Sequence, residues 1–478
     1  MINAYALIYL AAYAVPALVG VVAMVVYTHL LAPEQYGIFV IGASIAGVLS
    51  AVFLTWVRQA VLRYQASSPE LDLRPEATIA FAASVVVIAC VTPLAILIIR
   101  PNLSYGLIAA SVLFSLTLSG FEVSQEFRRA RLDPRRLTLI AVIRSLLSLI
   151  FGYCVIAFGG GGVALLVAVS MSFVLSNAWT FRGGGDKRLS EFSPHYLRQF
   201  VRYGVPFSLG ATAITLHYTL DRLGVAYLLG NSAAGYYGLA SDMTRQLVAM
   251  LASSVASAMF PIAFRSYAES GTAATRDRLC EGVELLFALL LPVTVWIAAS
   301  ADVVSATLLG RDFQASVAAI LPLLVIGRMF GAINQYYLQI SFQLAEKPFL
   351  QVAHETLILV LNLALLYPLT LAFGLPGTAA AVLAAEGIGI MIGVWLSRRA
   401  FPLPLNARAL IRVVASTAVM VAAVYAAKAF AGDRGVPALI CVVVAGGLGY
   451  AGTAVLLDVA GVRSMVAALL RPRLAPAE

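Results

Sequence analysis

Charge is scarce in this chain. Of its 478 residues only 12% are Asp, Glu, Lys or Arg, against 61% hydrophobic, and the mean hydropathy is +0.92. No soluble globular class carries that balance, whereas a chain that crosses a bilayer many times does. Cysteine is rare too: Cys90, Cys154, Cys280 and Cys441 stand singly within apolar runs, which argues against a disulfide framework or a thiolate metal site. His29, His195, His217 and His354 are scattered without metal spacing. The phosphate-loop pattern G-x-x-x-x-G-K-S/T is missing, and nucleotide hydrolysis by this chain alone goes with it. No cofactor motif and no catalytic constellation is found. Extended polar stretches are also absent: Ala32 to Gln35, Gly159 to Gly161 and Gly230 to Ala233 are turn-like, so no extramembrane domain is expected.

What the chain has is apolar length. Segments able to span a bilayer fall at 4–31, 36–57, 77–99, 105–124, 137–157, 162–181 and 203–229, then at 234–260, 279–300, 314–344, 349–372, 376–397, 411–430 and 436–458. The expected fold is therefore all-α, a polytopic membrane protein with about fourteen transmembrane helices. Met1-Ile2-Asn3 offers no basic region before the first run, which reads as a retained helix rather than a cleaved signal. With a cytoplasmic N-terminus, the outward connections hold only Arg100, Arg311, Lys428 and Arg434, while Arg144, Arg222, Arg245 and Arg328 fall within helices. Every other basic residue lies on the inward side, which sets both termini in the cytoplasm. The formal net charge of +9 is thus a topology signal, and nucleic acid is not an expected partner.

The longest polar connection, Arg182 to Arg202, contains Gly183-Gly184-Gly185 and reads as a linker. A weak repeat agrees with a division there. Val15-Pro16-Ala17-Leu18-Val19-Gly20 returns as Val205-Pro206-Phe207-Ser208-Leu209-Gly210, and Leu30-Leu31 before Tyr36-Gly37 returns as Leu228-Leu229 before Gly235-Tyr236-Tyr237-Gly238. Chance likeness between apolar helices is the competing account. The repeat implies two pseudo-symmetric six-helix lobes, parallel about an axis along the membrane normal, at 1–182 and 203–400. A cytoplasmic linker at 183–202 joins them, and 401–478 adds two further helices and a cytoplasmic tail.

Against this background the stretch from Tyr203 to Leu229 is an exception, since it holds His217, Asp221 and Arg222. Helical steps from Ser208 reach Thr212, Thr215, Thr219 and Arg222, so one side is polar and ends in a cation. An arginine near mid-bilayer costs roughly 3 kcal/mol on the insertion scale, so it should face a bundle interior or a wet cavity. A structural Asp-Arg pair that pins two helices is the other reading. His217, four residues before Asp221, is either its hydrogen-bond partner or part of a proton relay. Further polar positions within spans are Asp242 and Arg245, then Arg328, Asn334, Gln335 and Gln339, with Arg144 alone in the fifth span and Arg58 closing the second. Cations outnumber acids here, and the planar guanidinium fork suits phosphate. These ten residues form the candidate cavity lining for an anionic headgroup; unrelated structural pairs are the alternative.

Leu30-Leu31-Ala32-Pro33-Glu34-Gln35-Tyr36-Gly37 after a first apolar helix resembles the first outward turn of the polysaccharide flippases. These form the oligosaccharide branch of the multidrug/oligosaccharidyl-lipid/polysaccharide exporter superfamily. Asp221-Arg222 through Gly235-Tyr236-Tyr237-Gly238, with Phe260-Pro261 beyond, resembles that family's seventh and eighth helices. The resemblance implies a bacterial inner-membrane transporter, not an enzyme, that moves an undecaprenyl-diphosphate-linked oligosaccharide outward by alternating access. It implies a cationic cavity between two lobes, with charge at Arg58, Arg222 and Arg245. It also implies a place in O-antigen, capsule or exopolysaccharide biosynthesis, with membrane lipid, a polysaccharide polymerase and chain-length machinery as partners. Two other readings stay open: a cation-coupled drug or metabolite antiporter of the same superfamily, and a membrane polymerase or glycosyltransferase. The last is disfavoured by the missing outward loops and missing polar domain.

Overall fold

In hydrocarbon a backbone must satisfy its own hydrogen bonds, and an apolar run of some twenty residues does so as a helix. The computed structural model describes residues 2–67, 71–99, 104–130, 134–181 and 192–463, and among these every regular element is helical. The first helices are α1 (Ile2–Leu30), α2 (Pro33–Phe53), α3 (Thr55–Ser67), α4 (Arg74–Ile99), α5 (Tyr105–Ala130), α6 (Pro134–Ala157), α7 (Gly162–Phe181) and α8 (Pro194–Leu229). There follow α9 (Asn231–Ala299), α10 (Ala301–Leu308), α11 (Arg311–Ile333), a π-helical segment (Asn334–Leu338) and α12 (Gln339–Leu344). The chain closes with α13 (Pro348–Phe373), α14 (Leu375–Ser397), α15 (Ala407–Ala431) and α16 (Val436–Leu456). All fourteen apolar segments lie on these helices. Their outer faces are apolar: Phe430 is 94% exposed, Leu456 78% and Leu448 70%, as lipid contact requires and water does not tolerate in such numbers.

The chain divides into two compact units, Met1–Gly238 and Leu239–Glu478. In the first, α8 packs on α2 and α3. Gly204 lets the α8 backbone approach Trp56, and Thr212 donates to the Ala51 carbonyl at 2.9 Å. The polar side of α8 is therefore applied in part to neighbouring helices. The triple glycine of the expected linker lies outside the described residues.

The second apolar segment is two helices, because Leu54 leaves helical geometry (φ −122°) between α2 and α3 and puts Arg58 on the latter. The two expected spans at 234–260 and 279–300 both lie on α9, which is two helices meeting at a kink at Gly271 (φ +75°, ψ −167°). Its polar middle carries an exposed pair on each side of that kink, Arg265 with Glu269 at 2.8 Å and Arg278 with Glu281 at 3.3 Å.

Connections assigned to one side of the membrane meet within each unit. In the first, Gln35 Oε1 accepts from the Gly162 amide at 2.9 Å, capping α7, and Gly37 abuts the Asn231 carbonyl. Three turns assigned to the same side thus share one end. At the other end Glu76 Oε1 accepts from the Ser193 amide at 2.8 Å. In the second unit Thr307 donates to the Gly435 carbonyl at 3.3 Å and Lys428 pairs with Asp302 at 2.5 Å, while Lys347 donates to the Arg399 carbonyl at 3.0 Å.

Candidate functional site

Four of the ten candidate residues belong to the first unit. Arg58 Nη1 reaches Glu122 Oε2 of α5 at 3.0 Å, and each side chain is about one-third exposed (32% and 33%). The pair is therefore only partly enclosed by protein. Arg144 on α6 is held differently, with its guanidinium over the Phe173 ring of α7 at 5.2 Å and the Phe121 ring of α5 at 6.0 Å. It also donates to Ser145 Oγ at 3.1 Å. Asp221 is fully buried and accepts from Tyr237 Oη at 3.1 Å, which ties the end of α8 to the start of α9. Arg222 beside it is half-buried.

The other six lie in the second unit, where two groupings form. Asp242 and Arg245, one turn apart on α9, pair at 3.4 Å with 30% and 47% of their side chains exposed. Next to Asp242, Ser241 accepts from Arg328 Nη2 of α11 at 3.0 Å, and Arg328 is only 4% exposed. The Ser241 hydroxyl lets a guanidinium sit inside the unit, on the residue next to the Asp242 and Arg245 pair in the chain.

Asn334 and Gln339 form the second grouping, around the π segment. Asn334 donates to Glu386 of α14 at 2.7 Å; Gln339 donates to Glu355 of α13 and accepts from Gln351 at 3.0 Å. Gln335 between them is half-buried. Glu122, Ser241, Glu386 and the two phenylalanines were not singled out as partners in the sequence, since nothing in helical spacing tells which neighbouring helix a side chain meets. Glu122 carried a signal in hindsight: with Glu126 it makes an acidic step one turn apart near the end of an apolar span.

The sequence model for "Polysaccharide biosynthesis protein" matches residues 26–318, more than half of the chain. The chain belongs to that family. No curated protein matches it. Among solved structures it resembles "Lipid II flippase MurJ, inward closed conformation", with a TM-score of 0.72 over 96% of this chain and 99% of that one, at 12% identity. It also resembles "Inward-facing conformation of a multidrug resistance MATE family transporter of the MOP superfamily", with a TM-score of 0.63 over 82% and 97% at 14% identity. At such identity these likenesses establish the fold. This member of a polysaccharide biosynthesis family is a multi-pass membrane protein, with ten helices among the described residues long and apolar enough to cross a membrane.

Proposed function

We propose that the chain flips an undecaprenyl-diphosphate-linked oligosaccharide across the bacterial cytoplasmic membrane by alternating access, serving O-antigen, capsule or exopolysaccharide assembly. Lobes at 1–182 and 203–400, joined by a cytoplasmic linker at 183–202, would rock around the diphosphate, with both termini cytoplasmic and 401–478 appended. Arg58, Arg144, Arg222, Arg245 and Arg328 would hold the phosphates, and Asp221, Asp242, Asn334, Gln335 and Gln339 would orient the carrier and its sugar.

The observation that supports this reading most is the exposure of Arg245. It lies about 21 Å along α9 from Asn231, at membrane depth, with 47% of its side chain open. Facing lipid there would cost roughly 3 kcal/mol, whereas a wet, anion-binding surface gives the guanidinium water and phosphate oxygens. The test is complementation of a deletion strain with Arg222→Ala, Arg245→Ala and Arg328→Ala. Loss of surface polymer at normal protein abundance is expected, and normal polymer from all three overturns the reading. The competing transporter reading, a cation-coupled drug antiporter, predicts instead that the deletion strain becomes drug-sensitive with its polymer intact.

A further inference from the structure

In the second unit a carboxyl group is held by an amide whose own oxygen has no donor. Glu386 is 3% exposed and is the single titratable side chain on α14. Asn334, 1% exposed, donates through Nδ2 to Glu386 Oε2 at 2.7 Å and to the Glu386 carbonyl at 3.0 Å. Both amide hydrogens are then used, and Asn334 Oδ1 is buried without a hydrogen-bond partner. Glycines make room for the pair: a Cβ on Gly331 would lie 2.8 Å from Glu386 Oε1, and one on Gly389 would lie 3.1 Å from Asn334 Nδ2. Asn334 also opens the π segment, a departure from regular helix that gathers at functional positions.

An ionisable group inside a membrane bundle is a functional position by default, and a buried acceptor left without a donor needs a reason. A proton supplies one. Ionised, Glu386 can only accept; protonated, it gains a hydroxyl donor, and the buried oxygen beside it that lacks a donor is Asn334 Oδ1. A hydroxyl on Glu386 would offer that oxygen the donor it lacks. We propose that Glu386, paired with Asn334, is a proton-binding site of the transport cycle, filled from water in one conformation and emptied to water in the other.

A metal cation suits the place less well. An amide N–H faces the carboxylate, and among the described residues no three His, Cys, Asp or Glu side chains could hold a metal ion together. Helices α11 (with the π segment) and α13 pack on α14. From α11 and the π segment come Arg328, bonded to Ser241, Tyr336, and Tyr337, bonded to the Pro404 carbonyl; Arg311 and Asp312 stand at the far end of α11. From α13 come Glu355, bonded by Gln339, His354, which donates from Nε2 to the Gly389 carbonyl at 2.8 Å, and Tyr367 further along.

The role in the cycle rests on the transport reading, while proton binding can be observed without any substrate. Infrared difference spectra of the purified full-length protein in liposomes, taken between acidic and alkaline buffer, follow the carboxyl stretch. In E386Q the new amide donates to Asn334 as a neutral acid would, so the fold is kept and one titrating carboxyl band is expected to vanish; E355Q should leave that band. An E386Q spectrum with every titrating band of the wild type overturns the proposal. In a deletion strain E386Q should lose most of the surface polymer and E386D should restore part of it; full polymer from E386Q overturns the coupling role. If deleting the gene leaves polymer unchanged, the flippase reading fails, and the infrared result still decides whether Glu386 binds a proton.

Discussion

Gly37 and Gly235 face each other through their backbones, each against the turn that precedes the other. A Cβ on Gly37 would lie 1.8 Å from the Asn231 carbonyl oxygen, and a Cβ on Gly235 would lie 2.5 Å from the Pro33 carbonyl oxygen. Pro33 stands four residues before Gly37, as Asn231 does before Gly235. The contact is reciprocal, and it is made by the two copies of the repeat.

Because the obstacle is backbone, Gly37→Ala cannot be absorbed by a rotamer change, and the seam must open. A loss of about 1–3 kcal/mol is expected in the denaturation of the purified protein, together with reduced polymer. Gly47→Ala is the control: nothing lies within 4 Å of its Cβ, and alanine should be neutral or stabilising by up to about 1 kcal/mol. Equal losses at both positions would contradict the seam.

The Arg58 and Glu122 pair separates a binding role from a structural one. Both side chains are partly exposed, so breaking the pair should cost no more than about 1 kcal/mol of stability. If Arg58 binds phosphate, Arg58→Ala abolishes polymer and Arg58→Lys, which lacks the bidentate fork, weakens it, while Glu122→Gln is tolerated. Glu122→Gln as damaging as Arg58→Ala points to the pair itself as the requirement.

Arg144 should couple to Phe173. A guanidinium 5.2 Å from the ring centroid contributes about 0.5–2 kcal/mol, so Arg144→Met and Phe173→Leu should each destabilise the protein. Their double variant should be little worse than either single one. Strict additivity in thermal unfolding would place the arginine's role elsewhere.

At the Asp302 and Lys428 contact, burial pushes the carboxyl up, but the Lys428 hydrogen bond and charge together with backbone hydrogen bonds outweigh it. Asp302 therefore sits below the ordinary carboxylate range. A depressed carboxyl stabilises the fold above its unfolded value, about 3.9, and that contribution is lost as pH falls through the folded value. The melting difference between wild type and Lys428→Met should be constant near neutrality and disappear in acid. A difference that grows in acid would reverse the sign.

The spans were legible because their signal is local. Twenty apolar residues must be helical in a bilayer whatever surrounds them, and Ala32–Gln35, Gly159–Gly161 and Gly230–Ala233 announce themselves as turns by composition. Local breaks were less so: Leu54 gives no compositional warning, whereas the kink in the polar middle of α9 falls on a glycine, Gly271. The candidate residues were found as types and not as partners. Asn334 was noted for its chemistry, but its link to Glu386 crosses 52 positions and is made by helix packing that spacing does not encode.

The π segment at Asn334–Leu338 is, in effect, one surplus residue accommodated without breaking the chain's hydrogen bonding. Because the segment takes up that residue, Tyr337, Gln339 and Ser341 meet the Pro404 carbonyl, Glu355 and Phe401. Wound as regular α-helix, the same residues would carry everything beyond Asn334 round by about 100° and break those three contacts. The register of this half of the molecule thus hangs on where one amino acid is stored.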